Sequence, residues 1–510
     1  MWVPAAAALA GVLAFLPSLR VGLLADDLPQ FRRLPSLSGP LDAFTLSVSG
    51  SQSTGPFYRP LWMGLDRVLF GYWGGNAVFY HAWELVLYAA LIVQVWRLAG
   101  RFARWISPGV AAAAFALYPQ HHESVAWYAA VGDLLAWNLC LAALLLASAR
   151  RPGPGRLVGA AALALAGALC KETAYVVAPL LLLYLLTQRR LEGKLPARWG
   201  IGPLVLAAAQ APALAARTLV LHGLGGYHVP FSVLRLLWAA LSYVLGCLTP
   251  PPLDPVTQPL LVLVPLAIVA VLTLGVLRGP VPQRRVIAVF GVGWFVVGIL
   301  PVVNYPLNPS TGNGHRYLLM PSIGLALVVA AAAGTVNGRR VVGALAAATA
   351  ALVCCLSVTL QWVDATAILG SEAAALQGQP RGGSVVLATF VEDYRMARVS
   401  TDGAEPVLTA GRGDLTVASC VPVHLLERRS NEVTVARGPV GLEARTTRAA
   451  PFRVSVLSLG RTFPACAYHP APTATTPLGT TLAAIGTPAR ATPSDVVLYW
   501  DGRDMRRCCP

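Results

Sequence analysis

The chain has 510 residues, 56% of them hydrophobic and only 12% charged, with a mean hydropathy of +0.61 and a formal net charge of +16. A soluble globular protein is about a quarter charged, and a disordered chain needs low hydrophobicity, so both classes are excluded for most of the sequence. The positive charge does not read as a nucleic-acid surface. Of 39 basic residues only Lys171 and Lys194 are lysines, fifteen of the 39 sit in short loops between apolar blocks, and no dense basic run with interleaved aromatics occurs.

Apolar blocks fall at 3–24, 76–96, 107–118, 125–148, 157–170, 173–187, 200–221, 231–248, 259–277, 286–303, 316–336 and 341–361. Many approach the ~20 residues that span a bilayer. The first is longer than a signal-peptide core and lacks a basic leader, so it reads as a retained helix. Directly after it stand Asp26 and Asp27. Two adjacent carboxylates at a membrane surface suit acid/base work or a cation, and equally a solvated helix end. The same outer loop, 25–75, carries Arg59 in Tyr58-Arg59-Pro60-Leu61. Its fork suits a phosphate oxygen, and its stem suits snorkelling from an interfacial helix.

Further along, Tyr118-Pro119-Gln120-His121-His122-Glu123 joins two blocks. Two histidines and a glutamate could bind a divalent metal, a sugar or a phosphate. Asp133 follows about ten residues into the next predicted helix, roughly 15 Å along at helical rise, and an acid at that depth needs a reason. Residues 157–187 are too few for two full spans, so their apex, Lys171-Glu172, is expected beneath the outer surface. Two readings stand there: a buried ion pair, or a lysine gripping a lipid phosphate. Arg316, in Asn313-Gly314-His315-Arg316-Tyr317, enters a block from outside against the usual charge bias, which favours a bound anion over a snorkelling side chain.

The basic loops orient the blocks. Arg97, Arg101 and Arg104; Arg150, Arg151 and Arg156; Arg189, Arg190, Lys194 and Arg198; Arg278, Arg284 and Arg285; and Arg339 with Arg340 all fall on the cytoplasmic side if block 231–248 does not cross. Its exit through Pro250-Pro251-Pro252 suits a re-entrant or interfacial segment. This gives eleven crossings, a cytoplasmic N-terminus and an external tail. Nine of the ten acids in 1–361 then lie towards the outside, which implies a polar cavity opening outward. The tail is nearly neutral, with 13 acids and 15 arginines in 363–510. Residues 363–378 read as helix. Alternating runs such as SVVLATF, EVTVA and DVVLYW, separated by Gly and Pro, then predict strands. Cys420 and Cys466 lie in this tail, where pairing is feasible outside the cytoplasm.

Taken in order, the segments DD at 26–27, YRPL at 58–61, WGGNAVFYHAWELVLY at 73–88, FALYPQHHESVAWYAAVGDLLA at 115–136, ALCKETAYVVAPLLLLY at 168–184 and RYLLMPSIG at 316–324 resemble the GT-C integral membrane glycosyltransferases. They are most similar to the branch of O-mannosyltransferases that use a polyprenyl- or dolichyl-phosphate sugar. The resemblance implies a fold of many membrane helices; with the topology above, the expected fold is an all-α polytopic membrane protein of about 11 transmembrane helices over 1–361, with 362–510 as a small β-rich extracytoplasmic domain. It implies transfer of a sugar from a polyprenyl-phosphate donor to a hydroxyl of a protein, lipid or glycan acceptor at the outer face, with inversion. In that pattern Asp26 is the catalytic carboxylate and Asp27 its neighbour or substitute. Glu123, Asp133, Lys171, Glu172 and Arg316 fall on motif positions that line the donor and acceptor cavity, and Arg59, His121 and His122 join them as donor- or acceptor-binding candidates on their own chemistry. No cofactor is required, because the leaving group is a phosphate, and a divalent metal is optional. Two features depart from the pattern: no arginine shortly precedes Asp133, and the tetratricopeptide tail of that branch is replaced by the β-rich domain. A transporter or lipid flippase is the alternative that hydropathy alone allows.

Overall fold

The structure is a computed structural model that describes residues 2–49, 56–149, 152–193, 200–223, 225, 232–249, 251, 263–278, 281–308, 312–334, 338–400, 405–425, 433–438, 441–446, 452–454, 468–469, 475–476, 479–486, 496–501 and 503–508. Arg150, Arg151, Lys194 and Arg198 of the basic loops, Pro250 and Pro252 of the proline exit, and Cys466 lie outside the described residues.

Each of the twelve apolar blocks carries a helix. Among the described residues, six helices are long and apolar enough to cross a membrane: Trp2–Arg20, Ala77–Gly100, Tyr128–Ala147, Ile201–Leu221, Pro282–Val302 and Gly343–Gln377. Four apolar helices are shorter, Pro154–Cys170, Val233–Leu248, Leu263–Leu277 and Pro321–Ala333. Large apolar side chains such as Leu204, Leu219 and Val289 stay exposed on them, as expected where lipid replaces water. The chain is an integral membrane protein.

Local chemistry sets the helix starts. Proline stands in the first turn at Pro60, Pro108, Pro154, Pro282 and Pro321, where its missing N–H costs nothing. Asn76 and Ser107 cap their helices by accepting from the amides of Val78 and Val110. Packing uses small residues, as membrane helices do. A Cβ on Gly291 would stand 2.5 Å from the carbonyl oxygen of Gly324, and one on Gly324 would meet that of Gly291, so helices Pro282–Ile299 and Pro321–Ala333 touch backbone to backbone.

The chain divides into two compact units. One holds residues 1–20 and 34–359 and contains most of the apolar helices. The other holds residues 360–510 together with 21–33, which span the end of the first apolar block and the start of the loop after it. The division falls inside one helix, Gly338–Gln377, so the helix expected over 363–378 is the end of a 40-residue element.

In the second unit, strands run in the order Met505–Cys508, Val496–Trp500, Ser384–Tyr394, Thr416–Leu425 and Phe452–Val454. Ser384–Tyr394 is parallel to both neighbours, and the short helix Glu405–Ala410 provides the crossover to Thr416–Leu425. Ala373 and Leu376 of the long helix pack on Val385, Leu387, Leu415 and Leu498. A second, antiparallel sheet contains Gly479–Gly486, Gly441–Thr446 and Val433–Gly438. The tail is therefore β-rich, and Cys508 is disulfide-bonded.

Candidate functional site

Two sets of candidate residues emerge, one in each unit. In the unit of apolar helices, four cations and two carboxylates, Asp133 and Glu123, are buried close together with a third carboxylate, Glu172, that is half-buried, among the described residues. Arg59 precedes helix Pro60–Trp73 and meets Glu172 through two bonds, Nε to Oε2 at 3.1 Å and Nη2 to Oε1 at 2.5 Å. This is the bidentate geometry that a guanidinium and a carboxylate share. The Arg59 guanidinium also lies 4.2 Å from the Phe57 ring centre. Arg217 approaches Glu172 Oε2 at 3.6 Å. Lys171 pairs with Asp133, and Arg316 with Glu123. The Glu123 carboxylate also accepts from the Arg316 amide at 2.7 Å and the Gly314 amide at 3.4 Å.

The Tyr317 ring joins these pairs. Its centre is 4.5 Å from the Arg316 guanidinium and 5.7 Å from Lys171 Nζ, while its hydroxyl accepts from Arg316 Nη2 at 3.1 Å. Lys171 in turn feels Asp133, Arg59, Arg316 and Glu172. Four cations and three carboxylates thus gather in one place. Burial alone would raise the Glu172 carboxyl, but the charge and hydrogen bonds of Arg59, with Lys171 and Arg217, bring it down to about 2.

Asp133 does not stand ten residues into a helix, as its spacing suggests. Trp127 is extended, with φ −130° and ψ 109°, which ends the short helix His122–Ala126 and leaves Asp133 in the first turn of Val131–Ala147. The acid at apparent depth is thus an acid at a helix start, where the dipole favours it.

The three histidines act as neutral groups. Burial pulls His121 and His315 down to about 3, and pulls His122 well below its ordinary value with help from its two neighbours. His122 Nε2 lies 2.9 Å from His315 Nδ1, and His121 bridges Tyr88 and Ser322 at 2.8 Å each. Gln120 donates to the carbonyls of Gly246 and Thr249, tying this loop to helix Val233–Leu248. No group of three or more His, Cys, Asp or Glu side chains is placed to hold a metal ion among the described residues.

Beside that helix lies an apolar groove of about 650 Å³, lined by Val244, Cys247, Leu248, Val276, Val292 and Val328, with Arg285 in its wall. Its Cys247 carbonyl accepts from Tyr118, so the groove begins next to the histidine loop.

Asp26 and Asp27 belong to the second unit, and their surroundings differ. Asp27 is fully buried and turns back on its own backbone: its Oδ2 accepts from the Leu24 amide at 2.9 Å. Asp26 is half-buried, and its carbonyl accepts from the Gln30 amide, as an N-cap's does.

Arg217 was legible and still passes unnoticed in the sequence. It stands inside the apolar block 200–221, whose mean hydropathy hides one charge, although an intramembrane arginine is by itself a reason to look. Asp66 and Glu84 form a separate buried pair of acids, held by Tyr128 at 2.6 Å and His81 at 2.7 Å.

No protein-family model matches the chain, and no curated protein matches it in sequence. Among solved structures, the crystal structure of ArnT from Cupriavidus metallidurans bound to undecaprenyl phosphate is similar over 83% of this chain and 93% of that one, at 15% identity and a TM-score of 0.32. A likeness so slight assigns this chain no substrate.

Proposed function

We propose that the chain is a membrane glycosyltransferase of the GT-C kind, moving a sugar from a polyprenyl-phosphate donor to an acceptor hydroxyl at the outer face of the membrane. The observation that carries this reading is the clustering of four cations, Arg59, Lys171, Arg217 and Arg316, among the carboxylates Glu172, Asp133 and Glu123. Guanidinium and ammonium groups gathered in one place suit the oxygens of a phosphate. The apolar groove beginning beside the same loop suits an isoprenoid chain, and its volume is within the range of small-molecule sites. The order of six motifs along the chain points the same way.

By the resemblance, each set of residues has a part of its own in the chemistry. Asp26 takes the proton of the acceptor hydroxyl as that oxygen attacks the anomeric carbon. The bond from that carbon to the phosphate oxygen breaks, the electron pair leaves with the phosphate, and inversion results. The developing phosphate charge is met by the arginines and Lys171, placed beforehand by their carboxylates. Asp26 rather than Asp27 suits the base, because Asp27 is buried and spends an oxygen on the Leu24 amide. Hexosyl or mannosyl transfer is the expectation for the sugar, by the resemblance alone. The disulfide at Cys508 supports an extracytoplasmic tail.

Membranes carrying the full chain, given polyprenyl-phosphate mannose or glucose labelled in the sugar, should release polyprenyl phosphate and label an acceptor. Translocation of the lipid across the bilayer with the sugar still attached would replace this reading with a flippase.

A further inference from the structure

We infer that the C-terminal unit is the mould that presents the Asp26 and Asp27 carboxylates, acting through hydrogen bonds from Gly22 and Ala25 to Thr366 and Val399. That these carboxylates do chemistry rests on the glycosyltransferase reading. That the C-terminal unit shapes them rests on the geometry below.

Residues 21–33 sit more than 300 positions before the sequence they fold with. The Gly22 amide donates to Thr366 Oγ1 at 2.9 Å, on the long helix. The fit is close: a Cβ on Gly22 would stand 2.9 Å from the Thr366 methyl. Three residues later the Ala25 amide donates to the Val399 carbonyl at 3.2 Å. Helix Asp27–Arg33 then packs against helix Glu405–Ala410. The segment is thus held on both sides of the carboxylates.

Between these anchors the backbone takes a conformation that local preference opposes. Ala25 has φ +46°, in the left-handed region where a residue with a Cβ is uncommon. The turn is closed by the Asp27 amide donating to the Leu24 carbonyl at 3.0 Å and by the Leu24 amide donating to Asp27 Oδ2. Such a conformation persists only where its surroundings over-determine it. Here Leu24, Ala25 and Asp27 are all fully buried. The left-handed step at Ala25 sets the direction in which Asp26 leaves the chain. Thr366, Val399 and Ala25 are positioning residues, and the β-rich domain has a role in the reaction without supplying a reacting group.

The test uses the full chain in lipid nanodiscs, with four variants. Thr366→Val removes the acceptor at nearly constant shape, and Thr366→Ser restores it. Ala25→Val puts a branched residue at positive φ, and Ala25→Gly relieves the strain. Amide exchange over residues 22–28 should quicken in Thr366→Val and Ala25→Val, and stay at the wild-type rate in Thr366→Ser and Ala25→Gly. Strand Ser384–Tyr394 should keep its protection throughout. With labelled polyprenyl-phosphate mannose, or glucose if that is the sugar used, the two disruptive variants should lose ~10- to 100-fold in kcat with donor KM unchanged, as expected for a misplaced reacting group. Exchange over 22–28 that ignores Thr366→Val, or rises equally across the whole C-terminal unit, overturns the inference. A wild-type protein that turns over no lipid-linked sugar, yet shows the expected exchange pattern, supports the mould and overturns the glycosyltransferase reading instead.

Discussion

Asp26 and Asp27 adjoin in sequence, yet their environments differ, and the proposed roles differ with them. Asp26→Asn keeps the shape and the N-cap but cannot take a proton. Its turnover should fall by the ~10²–10⁴-fold typical of a lost general base, with insertion and donor binding unchanged. Asp27→Asn retains an oxygen for the Leu24 amide and should cost much less. Steady-state kinetics of both variants, beside a donor-binding measurement, checks the difference. Equal losses would assign the proton to neither alone. The cluster around Glu172 separates stability from binding in the same way. Arg59→Ala removes both bonds to Glu172 and leaves that carboxylate with the more distant Arg217, so it should destabilise the fold by about 3–5 kcal/mol. Arg217→Ala leaves those bonds in place and removes one cation of the cluster. It should cost little in thermal unfolding and weaken donor binding by about 2–5 kcal/mol. What the sequence offered at this scale was uneven. Lys171, Glu172 and Arg316 were visible because a charge interrupts or borders an apolar run. Their pairing was not visible, since Glu172 finds its partner 113 residues away at Arg59. Nor was the difference between the two aspartates, which depends on what buries each one.

Helices were legible as blocks and less so at their ends. The run 316–336 is one apolar stretch, but only Pro321–Ala333 is α-helical, because His315–Leu318 forms a tighter turn that aims Arg316 at Glu123. Contact between elements is set by glycines that hydropathy scores poorly. Gly324→Ala would press a methyl against the Gly291 carbonyl and should cost about 1–3 kcal/mol, read as a lower unfolding temperature in detergent. Gly343→Ala, where a Cβ meets nothing within 4 Å, should be neutral or stabilise by about 0.4–1 kcal/mol. At the other end of the long helix, Arg412 donates to the carbonyls of Leu376, Gln377, Gln379 and Pro380 and is held by Asp414. It closes a helix end whose last carbonyls have no helical partner. Its bonds to Arg412 and the Gly382 amide hold Asp414 below the usual aspartate range. A group lowered on folding stabilises above its unfolded value, ~3.9, and loses that contribution as pH falls through the lower folded value. The difference in unfolding temperature between wild type and Asp414→Asn should therefore be constant from pH 7 down to about pH 4 and shrink below it.

For the whole molecule, the arginine loops make a topological prediction. Reporter fusions after residues 104, 151, 192, 282 and 339 should be cytoplasmic, and fusions after 225, 310 and 400 external. A cytoplasmic reporter at 400 would overturn both the eleven crossings and the interfacial placement of 231–248. The alternating strands of the tail could be read from their period of two, whereas the membership of residues 21–33 in that unit could not. No local pattern marks a 13-residue segment as the property of a domain hundreds of residues away. That membership bears on how the protein is made. The chain leaves the ribosome from its N-terminus at about 5–20 residues per second, so Gly22 waits roughly 20–70 s for Thr366, 344 positions later. Throughout that interval the turn at Ala25 lacks the partners that bury it. A nascent or truncated chain can insert its apolar helices while its carboxylate pair is still unformed. On the glycosyltransferase reading, a chain cut short before Thr366 should therefore be inactive even where its apolar helices have inserted.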